Sequence, residues 1–257
     1  KELCNSLDLG RYKVLSGRSG LLELASINDA DVMLNALVGA SGMEPTIHSI
    51  NSGINIALSN KESLVMAGEI INSRLDSMGV KIYPVDSEHS AIWQCLVGEK
   101  NKQINKIILT GSGGPFRTKK ISEFNMINKE QALKHPNWSM GNKITIDSST
   151  MMNKGLELIE AYWLFPINFD KIDIVIHPES IIHSMVTFID NSTLAQLCPN
   201  DMRHAIAYTL NYPERRNIPI NDLDITELQN LSFEKVDVNK FPAIKLARMV
   251  LNTSGSL

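Results

Sequence analysis

The first part of the chain alternates short apolar runs with amphipathic segments. Three apolar runs are typical of strands, at residues 31–38, 54–58 and 81–85. Between them, apolar positions at helical spacing predict helices over residues 43–50 and 62–78. Because parallel neighbours need a crossover connection, this strand–helix order predicts a parallel sheet.

The pattern changes after residue 86, where strands become more frequent than helices. Further strands are predicted at residues 106–109, 173–177, 184–189 and 193–197. The last two are separated by three polar residues, which indicates a hairpin. A mixed sheet is therefore expected in this part of the chain.

Two helices and a long connection complete the pattern. A helix is predicted over residues 201–210, a connecting stretch over residues 212–236, and a final helix from residue 241 with nothing left to pack on. The fold class is therefore α/β: a Rossmann-like parallel-sheet half followed by an α+β domain with a mixed sheet. A Gly-x-Gly-x-x-Gly loop after the first strand is absent, so either the fold binds no dinucleotide or the loop lies before Lys1.

Composition narrows the classes of partner. The 257 residues carry 25 basic and 28 acidic side chains, so no basic field favours nucleic acid or an anionic membrane. Apolar runs stay well short of the roughly 18 residues that a spanning helix needs. The cysteines Cys4, Cys95 and Cys198 are too far apart for a zinc knuckle and fit a reducing compartment.

Two acidic residues follow the third predicted strand. In an extended backbone Asp86 and Glu88 share one face, and they lie at the sheet edge where parallel sheets bind ligands. Two carboxylates held together need a cation or a proton between them, and Mg²⁺ or Mn²⁺ would satisfy both. The alternative, equally open on this segment alone, is a solvated strand end whose acids cap the next helix.

A polar arc is predicted on the helix that follows residue 147. Asn153, Lys154 and Glu157 share one face, with Glu160 beside them. Ser148 is placed at the helix start, where backbone N–H groups attract phosphate. The segment therefore predicts a phosphate cradle with Glu157 as a third metal carboxylate; the plainer alternative is a capped amphipathic helix with a surface Lys–Glu pair.

Loops and histidines give weaker signals. Glycine-containing segments at residues 111–117 and 135–141 suit a lid that excludes water, although such loops are common without that role. Ser59 and Glu62 match a capping box, and Lys61 between them could instead reach an anionic oxygen. Four histidines are interpreted as structural rather than as ligands, namely His48, His177, His183 and His204.

Taken together, six segments resemble the 1-deoxy-D-xylulose 5-phosphate reductoisomerase family: residues 57–63, 84–92, 110–116, 135–141, 146–148 and 151–157. The likeness runs in order over essentially the whole chain. It implies rearrangement of a sugar phosphate, then reduction with NADPH, to give 2-C-methyl-D-erythritol 4-phosphate. It also implies a divalent metal (Mg²⁺ or Mn²⁺, with Co²⁺ possible), a homodimer, and a bacterial cytoplasm or a plastid-type organelle.

The resemblance assigns roles to individual residues. Metal ligands would be Asp86, Glu88 and Glu157, and groups taking part in the chemistry would be Lys61, Glu88, His135 and His183. Substrate contacts would come from Lys61, Ser87, Glu88, Ser112, His135, Trp138, Met140, Ser148, Asn153, Lys154 and Glu157. Cofactor contacts would come from Asn60, Glu62 and Gly141.

The resemblance also implies how the chain is divided. Residues 1–85 would be part of an NADPH-binding domain, residues 86–211 the metal and substrate domain with a lid at about 111–141, residues 212–237 a connection, and residues 238–257 the start of a helical domain. The family's Gly-rich cofactor loop is expected before Lys1 and the rest of its helical domain after Leu257. The 257-residue chain alone is therefore expected to bind NADPH poorly and to turn over little.

Two other functions compete with this interpretation. A nicotinamide dehydrogenase of the semialdehyde type would share the half-sheet but would need no carboxylate triad. A dimerisation or scaffold segment could extend a partner's sheet through the strands at residues 173–197. A metal requirement that depends on Glu157 separates the reductoisomerase interpretation from both.

Overall fold

The computed structural model describes residues 13–134 and 141–253, which form two sheets joined by a layer of helices. Strands β1 to β8 are, in order, Val32–Asn35, Asn55–Leu58, Ile82–Pro84, Ile104–Gly111, Ile172–Ile176, Ile182–Phe188, Thr193–Leu197 and Glu234–Lys235. Helices α1 to α9 are, in order, Gly17–Ala25, Met43–Asn51, Lys61–Met78, Ser87–Cys95, Lys129–Ala132, Asn142–Ser149, Met152–Leu164, Met202–Asn211 and Ala243–Thr253.

The first sheet has the order β1-β2-β3 with every pair parallel, which confirms the predicted parallel half. The first strand is shorter than predicted and is not buried throughout. Within the described part of the chain, β1 pairs only with β2, and Leu34 on β1 is exposed. A strand at an edge lacks the second neighbour that would cover it.

The second sheet is mixed, as predicted, with the order β7-β6-β4-β5-β8. Strands β4 and β5 are parallel, while the other pairs are antiparallel, and β6 and β7 form the predicted hairpin. The stretch at residues 212–236 is mostly irregular, but its end forms β8 on β5. The prediction that this stretch only connects other elements was therefore incomplete. A strand of two residues is too short to produce a recognisable strand pattern.

The last helix packs against the body of the protein, so the prediction that it has nothing to pack on was wrong. Helix α9 lies along α7, where a Cβ on Gly155 would come within 3.1 Å of the Ala243 carbonyl oxygen. Ala247 and Leu251 are buried with α7 residues in the core over the mixed sheet. A glycine on one helix thus lets the other approach closely, which single-helix periodicity does not reveal.

Helices α3 and α7 connect the two sheets. Trp163 on α7 packs against both cores and lies against Gly68 of α3, and the Asn72 amide donates to its carbonyl at 2.8 Å. Gly79 ends α3 in the left-handed conformation at φ 64°, the usual helix stop. This packing places the start of α3, with Lys61, beside the middle of α7.

Domain boundaries at residues 85, 211 and 237 stay a prediction. The first sheet ends at β3, and the Thr209 hydroxyl of α8 donates to the Pro84 carbonyl at 3.0 Å. Over the described ranges, every helix is too short or too polar to span a bilayer.

The α3–α7 contact predicts that Gly68→Ala lowers stability. Alanine favours a helix by about 1 kcal/mol over glycine, but its Cβ would overlap the indole ring of Trp163. Because overpacking a core costs about 1–3 kcal/mol, we expect a net fall in the free energy of unfolding. Urea denaturation measures it, and Glu69→Ala on the exposed side of α3 should stay within about 0.5 kcal/mol of wild type. A Gly68→Ala protein as stable as that control would contradict the packing.

Candidate active site

A cavity of about 290 Å³ lies where the two sheets meet. Its walls come from the carboxyl ends of β2 and β4 and from the starts of α4 and α7. The residues that the sequence nominated and that line it are Lys61, Asp86, Ser87, Glu88, Ser112, Ser148, Asn153, Lys154, Glu157 and His183. The structure thus brings most of the predicted site together from segments up to 122 residues apart, from Lys61 to His183.

Three carboxylates converge on one side of the cavity. Asp86, Glu88 and Glu157 each offer an oxygen, and these oxygens lie within 4.8 Å of one another. Glu157 is completely buried and Asp86 is 9% exposed. An all-oxygen ligand set of this kind fits a hard divalent cation such as Mg²⁺ or Mn²⁺.

The convergence of Asp86 and Glu88 has a different local cause from the predicted one. Strand β3 ends at Pro84, so Asp86 is the residue before α4 and Glu88 lies in its first turn. The capping alternative is not what the structure shows, because the Asp86 side chain caps no backbone N–H. The two acids point toward one region because the strand turns into a helix between them.

Two buried lysines neutralise part of this charge. Lys61 Nζ lies 2.7 Å from Asp86 Oδ2. Lys154 Nζ lies 3.0 Å from Glu88 Oε1 and 2.6 Å from Glu157 Oε2. The Lys154–Glu157 pair is therefore not the surface pair that the plainer alternative proposed.

The charges perturb one another strongly. Burial opposes the charge on Lys61, but the carboxylates of Asp86 and Glu157 outweigh it and raise the pKa of that lysine. Burial raises the pKa of Glu157 to about 8, and repulsion from Glu88 adds to the effect. Three carboxylates thus face two ammonium groups, and a divalent cation would supply the missing positive charge.

Sequence reasoning missed a residue at the back of the site, His89. Its ring is completely buried, with Nε2 3.0 Å from the Glu157 carbonyl oxygen and Nδ1 3.4 Å from Glu160 Oε2. Burial lowers the pKa of His89 to about 4. Glu160, which was predicted beside the polar arc, is buried too, and burial and then Asp86 raise its pKa. The i, i+3 spacing of Asp86 with His89 and of Glu157 with Glu160 is a signal that could have found this pair.

Hydroxyl and amide groups also line the cavity. Ser112 follows β4, and Ser148 lines the cavity from the last turn of α6. The prediction that Ser148 starts the helix of Asn153 was wrong: Met151 adopts φ 60° and splits the segment into α6 and α7. A left-handed methionine is rare, so the residue type does not predict this break.

A close contact of the Gly-rich loop places Ser112 near Ser148. Gly114 has φ +67°, and a Cβ there would come within 2.7 Å of the Ser148 carbonyl oxygen. Only glycine satisfies both conditions. Phe116, two residues on, is buried in a small core with Met151 and Phe241.

The predicted cofactor residues lie at the starts of α3 and α6. Asn60 caps α3 by accepting from the Ser63 N–H at 3.0 Å, so the capping box predicted for Ser59 and Glu62 was wrong by one position. Glu62 Oε1 instead lies 2.6 Å from Lys143 Nζ, close to Gly141. Cofactor contacts by these residues stay a prediction, and His135, Trp138 and Met140 lie outside the described residues.

Two of the histidines interpreted as structural are accounted for. His177 is buried, with Nδ1 2.8 Å from the Ser232 carbonyl oxygen, while its Nε2 accepts from the Ile181 N–H at 3.2 Å. His183 Nε2 lies 3.2 Å from the Cys198 carbonyl oxygen, and its ring also lines the cavity. His183 therefore combines a structural bond with a place in the site.

The fold and the site define a class: two-sheet α/β proteins with a cluster of carboxylates, suited to a divalent cation, at the junction of a parallel and a mixed sheet. Three family models match successive parts of the chain. They describe 1-deoxy-D-xylulose 5-phosphate reductoisomerase over residues 1–68, the C-terminal domain of that enzyme over residues 82–165, and a further DXP reductoisomerase C-terminal domain over residues 197–257.

Relatives and solved structures agree with these matches. The reductoisomerase of Ruminiclostridium cellulolyticum is 51% identical over the whole chain, which covers 68% of that protein. That of Chlorobaculum tepidum is 52% identical over 93% of the chain, which covers 63% of it. A DOX-P reductoisomerase in complex with NADPH, fosmidomycin and magnesium superposes with a TM-score of 0.88 at 45% identity, covering 93% of this chain and 61% of that one. The Zymomonas mobilis enzyme in complex with NADPH gives 0.86 at 44% identity, with 93% and 61% covered.

The chain belongs to the 1-deoxy-D-xylulose 5-phosphate reductoisomerase family. It spans about two thirds of the length of these relatives, between 61% and 68%.

The buried ion pairs predict that Lys154→Met destabilises the metal-free protein. Removing one partner of a buried pair costs about 3–5 kcal/mol, because the other charge is left uncompensated. Added Mn²⁺ should then stabilise the variant more than wild type, since the released carboxylates gain a cation. Thermal unfolding with and without Mn²⁺ measures both effects.

Lys106→Met is the matched control. Its ammonium lies 2.8 Å from Asp173 on the surface, and exposed pairs contribute at most about 1 kcal/mol. If Lys154→Met is no more destabilising than this control, the charge balance described for the site is wrong.

Proposed function

We propose that the protein containing this chain converts 1-deoxy-D-xylulose 5-phosphate to 2-C-methyl-D-erythritol 4-phosphate, using NADPH and a divalent metal. The observation that carries the proposal is the convergence of Asp86, Glu88 and Glu157 in one buried cavity of a family member. The family membership supplies the reaction, and the cavity supplies groups suited to it.

The carboxylate triad is the proposed metal site. Asp86, Glu88 and Glu157 would hold Mg²⁺ or Mn²⁺, and the cation would act as a Lewis acid on adjacent substrate oxygens. The assignment is supported by the convergence of three carboxylate oxygens within 4.8 Å of one another. Co²⁺ would fit the same oxygen donors.

The two lysines take different parts in the proposed chemistry. Lys61 is held at 2.7 Å from Asp86 at the sheet edge, where its ammonium would stabilise negative charge that develops on a substrate oxygen. Lys154 pairs with Glu88 and Glu157 in the absence of a cation. A metal would take over that charge compensation and leave Lys154 available to the substrate.

The phosphate group is proposed to bind near the hydroxyl groups of the cavity. Ser112, Ser148 and Asn153 line the cavity together with Lys154, and the Asn153 amide also donates to Glu157. Binding a phosphate away from the reacting carbons orients the substrate. Ser87 and His183 would complete the substrate contacts, together with the lid residues His135, Trp138 and Met140.

NADPH is proposed to approach along the starts of α3 and α6. Among the described residues other than its chain neighbours, none has an atom within 4 Å of where a Cβ on Gly141 would be, and Glu62 is joined to the α6 start through Lys143. The Asn60 amide is engaged by the chain itself, donating to the Leu37 carbonyl at 2.7 Å. Its contribution would therefore be to order the loop against which the cofactor lies.

The proposed partners are a small sugar phosphate and a second copy of the chain, in a bacterial cytoplasm or a plastid-type organelle. A net charge of −3 supports a small-molecule partner rather than nucleic acid or an anionic membrane. Strand β7 is an edge strand with an exposed first half, which supports pairing of sheets in a homodimer.

The metal assignment predicts that substrate binding depends on the cation. With saturating Mn²⁺, calorimetry should show saturable binding of 1-deoxy-D-xylulose 5-phosphate to the chain. Glu157→Gln removes a buried ligand, so Mn²⁺ affinity and substrate affinity should both fall at least tenfold. EDTA should have the same effect on wild type.

Asp173→Asn, an exposed change outside the cavity, serves as the control and should bind like wild type. Substrate binding that survives both EDTA and Glu157→Gln would refute the proposed metal-dependent function.

A further inference from the structure

Two buried side chains behind the carboxylates have no part in the chemistry proposed above. His89 and Glu160 are both completely buried. They lie on different helices, α4 and α7, which also carry Glu88 and Glu157. The contacts of these two side chains point to a structural role, separate from that chemistry.

The first contact fixes the orientation of the histidine ring. Nε2 of His89 lies 3.0 Å from the main-chain oxygen of Glu157. A carbonyl oxygen only accepts hydrogen bonds, so Nε2 donates. The ring of Phe165 is parallel to the imidazole within 2°, at a centroid distance of 6.3 Å. The imidazole thus bridges the two helices at the level of the metal ligands.

The second contact is on the other ring nitrogen. Nδ1 of His89 lies 3.4 Å from Glu160 Oε2 and 3.9 Å from Asp86 Oδ2. Among the described residues, no group donates a hydrogen bond to either carboxylate oxygen of Glu160. Over the described ranges, the imidazole is the one basic group within 4.0 Å of this buried carboxylate.

A carboxylate in this place is costly for folding. Burying a polar group without a full set of hydrogen bonds is unfavourable, and an apolar side chain of similar size would fill the same space at lower cost. The benefit of Glu160 must then lie in what it orients. A partner on the second ring nitrogen is the usual way in which proteins fix a histidine beside a metal centre.

We propose that Glu160 is a positioning residue, acting through His89 to hold α4 and α7 in the arrangement in which Asp86, Glu88 and Glu157 share one divalent cation. This inference rests on the metal site of the proposed function. Removing the Glu160 contact leaves the ring free to tilt, which loosens the bond to the Glu157 main chain and moves that ligand.

A different use of the same atoms has to be distinguished. Asp86, His89 and Glu160 offer ligand atoms within 4.8 Å of one another, so they could hold a cation themselves. The ammonium of Lys61 already lies 2.7 Å from the Asp86 oxygen that faces His89. This positive charge disfavours a second cation, which is why the positioning role is preferred.

The test compares Glu160→Leu with Glu160→Gln by calorimetric titration with Mn²⁺. Leucine has no hydrogen-bonding group, so Mn²⁺ affinity should fall about tenfold to a hundredfold. Because Nε2 carries the ring hydrogen, Nδ1 accepts, and the glutamine amide N–H can donate to it and should keep most of the affinity. The unfolding midpoint of the metal-free protein should not fall in either variant, because each substitution removes a buried carboxylate that disfavours folding.

Glu179→Leu is the matched control, since Glu179 lies 3.1 Å from Nδ1 of another buried histidine, His177, away from the triad. Its Mn²⁺ affinity should equal that of wild type. Unchanged affinity in Glu160→Leu would overturn the proposal. Equal losses of Mn²⁺ affinity in the Leu and Gln variants, accompanied by a fall in stability, would also overturn it. The binding of two Mn²⁺ ions per wild-type chain would do the same.

A metal-independent measurement separates this inference from the proposed function. Proton NMR of the metal-free protein should show a protected His89 Nε2–H in wild type and Glu160→Gln, and rapid exchange in Glu160→Leu. If wild type binds no Mn²⁺, the proposed metal site fails, and the NMR result decides the positioning role. A protected signal in Glu160→Leu would overturn that role whatever the metal result.

Discussion

The structure of this protein depends on holding three negatively charged carboxylates together in a buried site. Asp86, Glu88 and Glu157 repel one another, and their repulsion is strongest where the dielectric is lowest. Lys61 and Lys154 reduce it, each reaching the acids from a different helix. The site is stable only while these helices keep their mutual positions, so the packing around it is part of the chemistry.

The helix contacts supply that constraint. On α3, the missing side chain of Gly68 admits Trp163 of α7, which brings Lys61 toward Glu157. On the other side of α7, Gly155 admits the backbone of α9 at Ala243. Helix α7 is thus packed closely on two sides while its first turns face the cavity. The His89 bond to the Glu157 main chain adds a third connection, to α4.

Much of this could be predicted from the sequence because it depends on local patterns. Strand–helix alternation is sufficient for the parallel sheet. The shared target of Asp86 and Glu88 was predicted as well, although their convergence comes from the turn into a helix and not from strand spacing. The bond from Asn153 to Glu157 follows from helical spacing in the same way. Relations between neighbours in the chain are visible without a structure.

What the sequence could not indicate depends on contacts between distant segments or on unusual backbone. Met151 breaks a continuous helical pattern with a left-handed conformation that its residue type does not announce. That break moved Ser148 from a helix start to a helix end, yet kept it in the cavity. His89 contacts the Glu157 main chain across 68 positions of the chain, and no local pattern displays that relation.

The central claim is that the three carboxylates form one metal site in the folded chain, and crystals soaked in Mn²⁺ test it most directly. Data collected at the manganese absorption edge locate the ion without any assumption about its ligands. The account predicts a single strong anomalous peak bounded by Asp86, Glu88 and Glu157. A peak elsewhere, or none at these carboxylates in a well-ordered crystal, would contradict it.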